Sequence, residues 1–140
     1  MVGIDTKYKK VYASGKRKRA VAKAVLSTGS GKISFNQKDH KTLPFFDKLK
    51  LEEPLRIAKQ VLGTIQFDVK ITVVGGGDKG QIDAARIAFA KGIFDFTKSE
   101  ELKKAYLDYD RNLLVADVRR KEAYKPGDSK ARAKRQSSKR

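Results

Sequence analysis

Six residues in the second half of the chain have the spacing of a phosphate-binding loop. Gly75, Gly77 and Gly80 fit the pattern G-x-G-x-x-G between an apolar stretch and a helical pattern, and an acid, Asp95, lies twenty residues after Gly75. Such a loop binds the pyrophosphate of a dinucleotide, because glycine allows close approach of the backbone. The related motif for nucleoside triphosphates is excluded, since Gln81 replaces its lysine.

The same glycines have a second interpretation that involves no cofactor. A dinucleotide-binding domain normally contains two βαβαβ halves, and a chain of 140 residues has neither the length nor the regular alternation for them. Three consecutive glycines, Gly75, Gly76 and Gly77, are typical of a sharp turn from a strand into a helix. The backbone of such a turn, together with the helix N-terminus, can contact a phosphate of RNA.

Side chains for other catalytic chemistry are scarce. The chain has no cysteine and a single histidine, His40, which excludes disulfides, thiolate metal sites and triads with histidine to spare. We expect His40 to be an ordinary surface residue. The paired acids are Glu52-Glu53, Glu100-Glu101 and Asp108 with Asp110. They lie at predicted helix starts or beside basic residues, so helix-end electrostatics explains them better than acid–base catalysis does. We therefore predict no enzyme activity, no metal and no cofactor.

Positive charge is concentrated at the two ends. The chain has 33 Lys and Arg against 16 Asp and Glu, a net charge of +17. Residues 1–23 hold eight of these cations and one acid, and residues 119–140 hold ten cations and two acids. This charge predicts a negatively charged partner, which could be nucleic acid, an anionic membrane surface or an acidic protein. No apolar run approaches the length of a membrane span, and residues 1–5 lack a secretory pattern, so a cytoplasmic protein is expected.

Each basic end has its own character. Gly15 precedes a run of four cations, Lys16, Arg17, Lys18 and Arg19, with Tyr8 and Tyr12 nearby. This run could be a solvated face or a nuclear-localisation patch, but RNA contact is favoured. From residue 123 onward there is no Leu, Ile, Val, Met or Phe, so this segment is expected to order only on binding a partner. We predict a folded domain over 1–122, with a basic segment over 1–19, and an extended tail over 123–140.

The central region shows the periodicity of a mixed α+β domain. Residues 21–26 predict a strand, and Ile33 with Phe35 predicts its hairpin partner. Glu52-Glu53-Pro54 predicts a helix start, with a buried stripe at Leu55, Ala58, Val61 and Leu62 and a stop at Gly63.

Two further helices and two strands complete the predicted fold. Residues 67–73 alternate as a strand, and residues 81–91 follow as a helix. Thr97 to Glu100 has the spacing of a capping box for another helix, and residues 113–116 resemble a last strand. The predicted architecture is a two-layer α/β sandwich with helices on one face of the sheet.

Three groups of residues resemble one protein family. Tyr12-Ala13-Ser14-Gly15-Lys16-Arg17-Lys18, followed by Ala20-Val21-Ala22 and Gly31-Lys32-Ile33, resembles the opening of small-subunit ribosomal protein nine. Val74-Gly75-Gly76-Gly77 with Gly80-Gln81, Ala84 and Arg86 is similar to the central signature of that family. Asp117-Val118-Arg119 and the end of the chain, Ser138-Lys139-Arg140, resemble its C-terminal signature. Residues 109–117 are more similar to the archaeal and eukaryotic branch than to the bacterial one.

The resemblance implies a fold and a function. The fold would resemble the second domain of ribosomal protein five, with a left-handed crossover and extended basic N- and C-terminal segments. The protein would bind ribosomal RNA in the head of the small subunit beside neighbouring ribosomal proteins, and its tail would reach the peptidyl-site transfer RNA. Lys139 and Arg140 would contact that transfer RNA. The residues predicted to bind ribosomal RNA are Lys16, Arg17, Lys18, Arg19, Gly75, Gly76, Gly77, Arg119, Arg120, Lys130, Arg132, Lys134 and Arg135.

The charge pattern alone also allows a free RNA-binding protein or an RNA chaperone. Neither DNA nor a membrane is expected as a partner.

Overall fold

The computed structural model describes residues 10–64, 66–127 and 131, and within these ranges it contains five strands and three α-helices. The strands are β1 (Lys10–Arg17), β2 (Ala20–Ser27), β3 (Ile33–Phe35), β4 (Lys38–Asp39) and β5 (Asp68–Val74). The helices are α1 (Phe45–Leu62), α2 (Asp78–Thr97) and α3 (Glu100–Tyr109), and short 3₁₀ turns cover His40–Thr42 and Arg111–Leu113. The predicted α+β class is confirmed.

The strands form one sheet in the order β1-β2-β5-β3-β4. Strands β1 and β2 form an antiparallel hairpin, β5 pairs antiparallel with the other side of β2, and β3 runs parallel to β5. Alternate residues of β2 and β5 are buried, among them Leu26 and Ile71, while the residues between them face outward. The helices therefore cover one face of the sheet, and the opposite face is open.

Small residues allow α2 to lie very close to the sheet. A Cβ atom added to Gly15 of β1 would meet the carbonyl oxygen of Ala84 and would lie 2.6 Å from the backbone nitrogen of Ala88. A Cβ on Gly92 would meet the side chain of Leu26. Since real Cβ atoms do not approach other atoms this closely, the position of α2 depends on glycine at these two points.

Helix α1 packs against α2, and α3 packs against α1, which completes the core. Tyr106 of α3 is fully buried, and its hydroxyl donates a 2.8 Å hydrogen bond to the carbonyl oxygen of Pro54 in α1. Desolvation by burial raises the pKa of the Tyr106 hydroxyl above its usual value near 10, so the hydroxyl stays protonated and can donate this bond in alkaline solution as well as at neutral pH. Leu51 of α1 and Leu102 of α3 are also fully buried.

Several sequence predictions are confirmed. Strands are present where residues 21–26 and 67–73 predicted them, and a helix contains residues 81–91. Gly63 ends α1 with a positive φ of 79° and a hydrogen bond from its N–H to the carbonyl of Lys59. Leu55, Val61 and Leu62 are partly buried against the core, as the predicted stripe requires.

The pairing of the N-terminal strands was predicted wrongly. The hairpin partner of β2 is β1, which lies in the segment interpreted as a basic run, whereas β3 pairs with β5 and β4. Lysine and arginine interrupt the apolar alternation of β1, so its strand character is masked. Three of the four pairings among the described strands are antiparallel, which differs from the parallel sheet of a dinucleotide-binding domain.

Two helix boundaries and one predicted strand also differ from the structure. Helix α1 begins at Phe45, and Pro54 lies inside it, buried against the core. The side chain that caps α3 is Ser99, which accepts the N–H of Leu102, while Thr97 belongs to the end of α2. The predicted strand over residues 113–116 is wrong, because the chain there leaves a 3₁₀ turn with Leu113 buried.

Replacing Gly15 with Ala is expected to lower the free energy of unfolding by about 2 kcal/mol, because the added methyl group has no room against the backbone of α2. The matched control is Gly80→Ala, where the nearest atom to the added Cβ is 3.7 Å away. That control should raise the free energy of unfolding by roughly 0.5 kcal/mol, because alanine restricts the unfolded chain more than glycine does. Urea unfolding of both variants measures the difference, and effects of the same sign would contradict the close packing of α2.

Candidate nucleic-acid interface

One end of the sheet carries a basic groove with a volume of about 720 Å³. Three segments that are distant in the chain form it: the turn between β1 and β2, the turn between β5 and α2, and the segment that follows α3. Its lining residues are Arg17, Lys18, Arg19, Gly76, Gly77, Arg119, Arg120 and Lys121. Six of these eight residues are cations, so the groove is suited to a polyanion.

The turn between β1 and β2 places cations at the rim of the groove. Strand pairing ends at Arg17 and Ala20, so Lys18 and Arg19 alone form the turn. Lys18 has a positive φ of 55°, a conformation that glycine adopts with less strain. A lysine at this position is therefore explained by its charge rather than by the needs of the turn.

The turn between β5 and α2 requires glycine at its first two positions. Gly75 and Gly76 have positive φ values of 79° and 67°. A Cβ on Gly75 would lie 2.7 Å from the carbonyl oxygen of Arg19, and a Cβ on Gly76 would lie 2.9 Å from the backbone nitrogen of Ala20. The predicted sharp turn is thus confirmed, and it packs directly on the hairpin turn.

Gly77 has no such steric role. Its φ is −96°, and no atom of the described residues lies within 4 Å of a Cβ added there. It is the N-cap residue of α2, a position at which serine, threonine or aspartate would satisfy backbone donors, and no side chain caps the helix. The first N–H groups of α2 therefore begin at an uncovered part of the groove, where the partial positive charge of the helix N-terminus favours an anion.

A buried carboxylate organises the arginines of the groove. Asp117 accepts hydrogen bonds from the side chain of Arg119 at 2.8–3.1 Å and from its backbone N–H at 2.9 Å. Nη1 of Arg17 lies 3.2 Å from the same carboxylate, and Arg120 donates to the backbone carbonyl of Asp117 at 3.0 Å. The Arg119 side chain, then its backbone N–H, and more weakly the charge of Arg17, hold the pKa of Asp117 well below its usual range.

The two arginines that contact Asp117 differ in exposure. Nη1 of Arg17 is buried and has no hydrogen-bond partner within the described part of the chain, so its contact with Asp117 is an ion pair only. The side chain of Arg119 is 75% exposed despite its bonds. Both guanidinium groups are thus held by Asp117, and the exposed group of Arg119 can still donate to a phosphate oxygen in the groove.

Comparison with known proteins identifies the family. The family model of ribosomal protein S9/S16 matches residues 15–140. The chain belongs to this family. It is similar to small ribosomal subunit protein uS9 of Methanococcus vannielii, with 47% identity over 133 residues that cover 93% of this chain and 98% of the relative. It is also similar to uS9 of Methanothrix thermoacetophila, with 44% identity over 131 residues and the same coverage.

Membership of the S9/S16 family confirms two expectations. Its members are structural ribosomal proteins rather than enzymes, which agrees with the prediction of no catalytic activity. The relatives named above are archaeal, as the resemblance of residues 109–117 to the archaeal and eukaryotic branch suggested.

The groove collects most of the described residues that the sequence assigned to RNA. Arg17, Lys18, Arg19, Gly76, Gly77, Arg119 and Arg120 all line it. Gly75 lies beneath it, and its carbonyl accepts a hydrogen bond from the side chain of Gln81 at 3.1 Å. Lys16 points to the open face of the sheet instead, because side chains alternate along β1. Lys130, Arg132, Lys134, Arg135, Lys139 and Arg140 lie outside the described residues.

Sequence reasoning missed two members of the site. Lys121 continues the Arg119-Arg120 run and could have been included on that basis. Asp117 was recognised only as part of a family pattern, and its role as an acceptor for Arg119 and an ion-pair partner of Arg17 depends partly on a contact across a hundred residues.

Several polar residues outside the groove bind other side chains of the fold. His40 is buried, contrary to the prediction of a surface residue, and its ring contacts Oε1 of Glu52 at 3.0 Å. Glu53 pairs with Arg86, which also contacts Asp110 at 3.2 Å. The acids at 52 and 53 therefore lie inside α1 and bind side chains of the fold, whereas Glu100 and Glu101 do occupy the first turn of α3.

Two kinds of site are missing from the part of the chain that the structure describes. No group of three or more histidines, cysteines and acids could hold a metal ion there. Among the same residues, no helix has the length and apolar character needed to cross a membrane.

Replacing Asp117 with Asn is expected to speed tryptic cleavage after Arg119 and Arg120 several-fold at neutral pH, because removal of the charge releases this segment from Arg17. Asp108→Asn, which removes an exposed carboxylate on α3, is the matched control and should leave the cleavage rate unchanged. Equal cleavage of both variants would contradict this role of Asp117.

The stability of the Asp117→Asn variant should also depend on pH. Since the pKa of Asp117 is lowered on folding, its contribution to stability is complete above about pH 4, the usual value, and disappears as the pH falls further. The difference in unfolding free energy between the native chain and the variant should therefore be constant from about pH 7 to about pH 5 and shrink below about pH 4. Urea unfolding over this pH range measures it, and a difference that grows towards low pH would exclude the ionised carboxylate as its cause.

Proposed function

We propose that this chain is a structural component of the small ribosomal subunit, where it binds ribosomal RNA of the subunit head through the basic groove. The observation that carries the proposal is the convergence of six cations and the uncapped N-terminus of α2 at one place. The names of its relatives, small ribosomal subunit protein uS9, support the same assignment. Neighbouring ribosomal proteins are further partners, and the site of action is the cytoplasm.

Charge supplies most of the affinity in this proposal. Each phosphate that a lysine or arginine neutralises releases condensed counterions, which favours binding at moderate salt. The six cations of the groove belong to separate segments of the chain, so they can contact phosphates on more than one side of a folded RNA. Such contacts fix the position and orientation of the protein and carry no sequence information themselves.

Asp117 lowers the entropy cost of phosphate binding for the two arginines that it holds, Arg17 and Arg119. A free arginine loses side-chain entropy when it binds a phosphate. Arg17 and Arg119 are already held by Asp117, so less entropy remains to be lost on binding. The exposed planar guanidinium group of Arg119 can then bind phosphate oxygens in pairs, which lysine cannot do.

Gly77 allows the RNA backbone to reach the helix itself. A side chain at this N-cap position would project into the groove, whereas glycine leaves the N–H groups of the first turn uncovered. A phosphate placed there would receive these hydrogen bonds and the favourable field of α2. This explains the third glycine of the run, which the geometry of the turn does not require.

The C-terminal tail, residues 123–140, is proposed to reach the peptidyl-site transfer RNA. The family resemblance is the basis for this role, and the composition agrees with it. Residues 129–140 contain six Lys and Arg and no acid, with small residues between them. Lys139 and Arg140 would contact the transfer RNA, and Lys130, Arg132, Lys134 and Arg135 would contact ribosomal RNA along the way.

The effect of Gly77→Asp tests the groove. Aspartate should cap α2 and leave stability equal or slightly higher, yet its charge should weaken binding to the isolated head domain of small-subunit ribosomal RNA. Gly77→Asn is the matched control, since it caps the helix without a charge and should weaken binding much less. Filter binding and urea unfolding measure the two quantities. If both variants bind RNA as tightly as the native chain, the assignment of the groove to RNA is wrong.

Removal of residues 129–140 tests the tail. We expect the truncated chain to remain folded and to assemble into small subunits, but peptidyl-site transfer RNA should dissociate faster. The salt dependence of its binding should also become weaker, by roughly 0.7 in the logarithmic slope for each phosphate that the tail no longer neutralises. The double variant Lys139→Ala with Arg140→Ala should produce part of this effect. The increase in dissociation rate should be similar for different transfer RNAs, because phosphate contacts carry no sequence information.

Transfer-RNA dissociation from reconstituted subunits over a salt series is the measurement for the tail. Lys59→Ala with Lys104→Ala, on exposed positions of α1 and α3, is the control pair and should not change the rate. If transfer RNA dissociates at the same rate from subunits with intact and truncated chains, the tail does not hold the transfer RNA and only anchors the protein on ribosomal RNA. Efficient binding of many unrelated RNAs without incorporation into subunits would favour a free RNA chaperone.

A further inference from the structure

The open face of the sheet carries an exposed tyrosine among lysines. Tyr12 of β1 lies directly opposite Val25 of β2, which lies opposite Lys70 of β5, so these three residues form one row across the sheet. Lys23 belongs to the next row, beside Ser14. Directly paired residues share a face, and this face is the one turned away from α2. The side chain of Tyr12 is 72% exposed there.

The surface around Tyr12 is concave and has room for a planar group. A depression of about 610 Å³ lies over this part of the face, and its lining includes Tyr12, Ser14, Lys23, Val25, Lys70 and Thr72. The high exposure of Tyr12 leaves at least one side of its ring uncovered by neighbouring side chains of the described chain. Strands lie about 4.8 Å apart, which places Lys70 about 10 Å from Tyr12 along the row.

The charge of this face is positive and largely uncompensated. Lys16, Lys23 and Lys70 are exposed, and none of them makes an ion pair with a residue that the structure describes. Two acids lie on the same face: Asp68 is in the neighbouring row, and Asp39 is at the β4 end of the row of Tyr12, separated from Lys70 by Ser34. The carboxylate of Asp39 accepts a hydrogen bond from the backbone N–H of Lys41 at 3.0 Å. Asp68 accepts hydrogen bonds from the backbone N–H groups of Gly31 and Lys32, both at 3.0 Å, so its carboxylate is already engaged.

We propose that the open sheet face is a second RNA-binding surface, where an unpaired base stacks on Tyr12 and the adjoining phosphates contact Lys23 and Lys70. Aromatic side chains on an exposed sheet bind unstacked bases through their ring faces, and neighbouring lysines bind the backbone. An apolar protein segment would leave the charges of Lys23 and Lys70 without a counterpart, since the lining of this depression contains these two lysines and no acid. The chemistry therefore fits RNA.

The surface is continuous with the basic groove. Lys16 projects onto the open face, and the next residue, Arg17, lines the groove. An RNA strand that leaves the groove can thus cross the end of β1 and continue over Tyr12. The inference rests on the proposed function, because it assumes that the groove holds RNA, but it assigns a different contact to different residues.

The binding of a short oligouridylate to the full chain at high salt separates stacking from charge, since salt weakens the contacts of the basic tail. Tyr12→Ala should weaken this binding about tenfold without changing its dependence on salt, as expected when one base no longer stacks. Tyr12→Phe keeps the ring and should bind like the native chain. Tyr109→Ala, which removes a 57% exposed tyrosine from α3, is the control and should have no effect.

Charge on the face is tested separately. Replacing both Lys23 and Lys70 with Gln should make the logarithmic salt slope less negative by about 1.4, since each phosphate that is no longer neutralised accounts for roughly 0.7. Lys59→Gln with Lys104→Gln is the matched pair on exposed helix positions and should leave the slope unchanged. If the variant that lacks Lys23 and Lys70 has an unchanged slope, these two lysines do not contact phosphates.

A photo-reactive benzoylphenylalanine at position 12 identifies the partner in intact small subunits. A crosslink to a ribonucleotide supports the proposal. A crosslink to another protein, or no crosslink, overturns it, and so does a Tyr12→Ala variant that binds oligouridylate normally. Gly77→Asp distinguishes this failure from that of the proposed function: if it weakens RNA binding while Tyr12→Ala does not, the groove binds RNA and the open face does not.

Discussion

The close contact between α2 and the β1–β2 hairpin is the constraint on which the rest of the structure depends. Glycine and alanine line both sides of this contact, and Gly15 touches the backbone of α2 at Ala84 and Ala88. Because the helix lies so near the sheet, its N-terminus begins beside the hairpin turn. The glycine run joins β5 to α2 by packing directly on that turn. A basic groove at this end of the sheet is thus a consequence of how the core is packed.

The groove also shows how a strongly basic protein can remain organised without its partner. Like charges at close range disfavour a compact arrangement. Asp117 offsets part of this repulsion by pairing with Arg17 and Arg119 from a buried position. The single acid therefore stabilises the arrangement of cations and leaves their outer donors available for phosphate. Under the proposed function, the phosphates of bound RNA would neutralise the remaining cations.

Local patterns in the sequence predicted the elements whose apolar residues alternate or repeat cleanly, such as β5 and α2. They failed where another requirement interrupts the pattern. The cations of β1 hide its strand character, and Pro54 inside α1 has the appearance of a helix start, although its carbonyl binds Tyr106 within the core. The pairing of β3 with β5 and the burial of His40 depend on contacts between distant segments, which no local pattern contains. For the site, composition identified the cations and glycines, but only the fold brings them together around Asp117.

The position of β1 at the edge of the sheet has a consequence for the protein before it is assembled. An edge strand presents unpaired backbone N–H and C=O groups that a strand of a second molecule can join, which is how many sheet proteins polymerise. In β1 this edge carries Lys10, Lys16 and Arg17, and the opposite edge, β4, is only two residues long. Two copies of β1 would repel one another, so the same charges that are proposed to contact RNA disfavour edge-to-edge pairing of newly made chains.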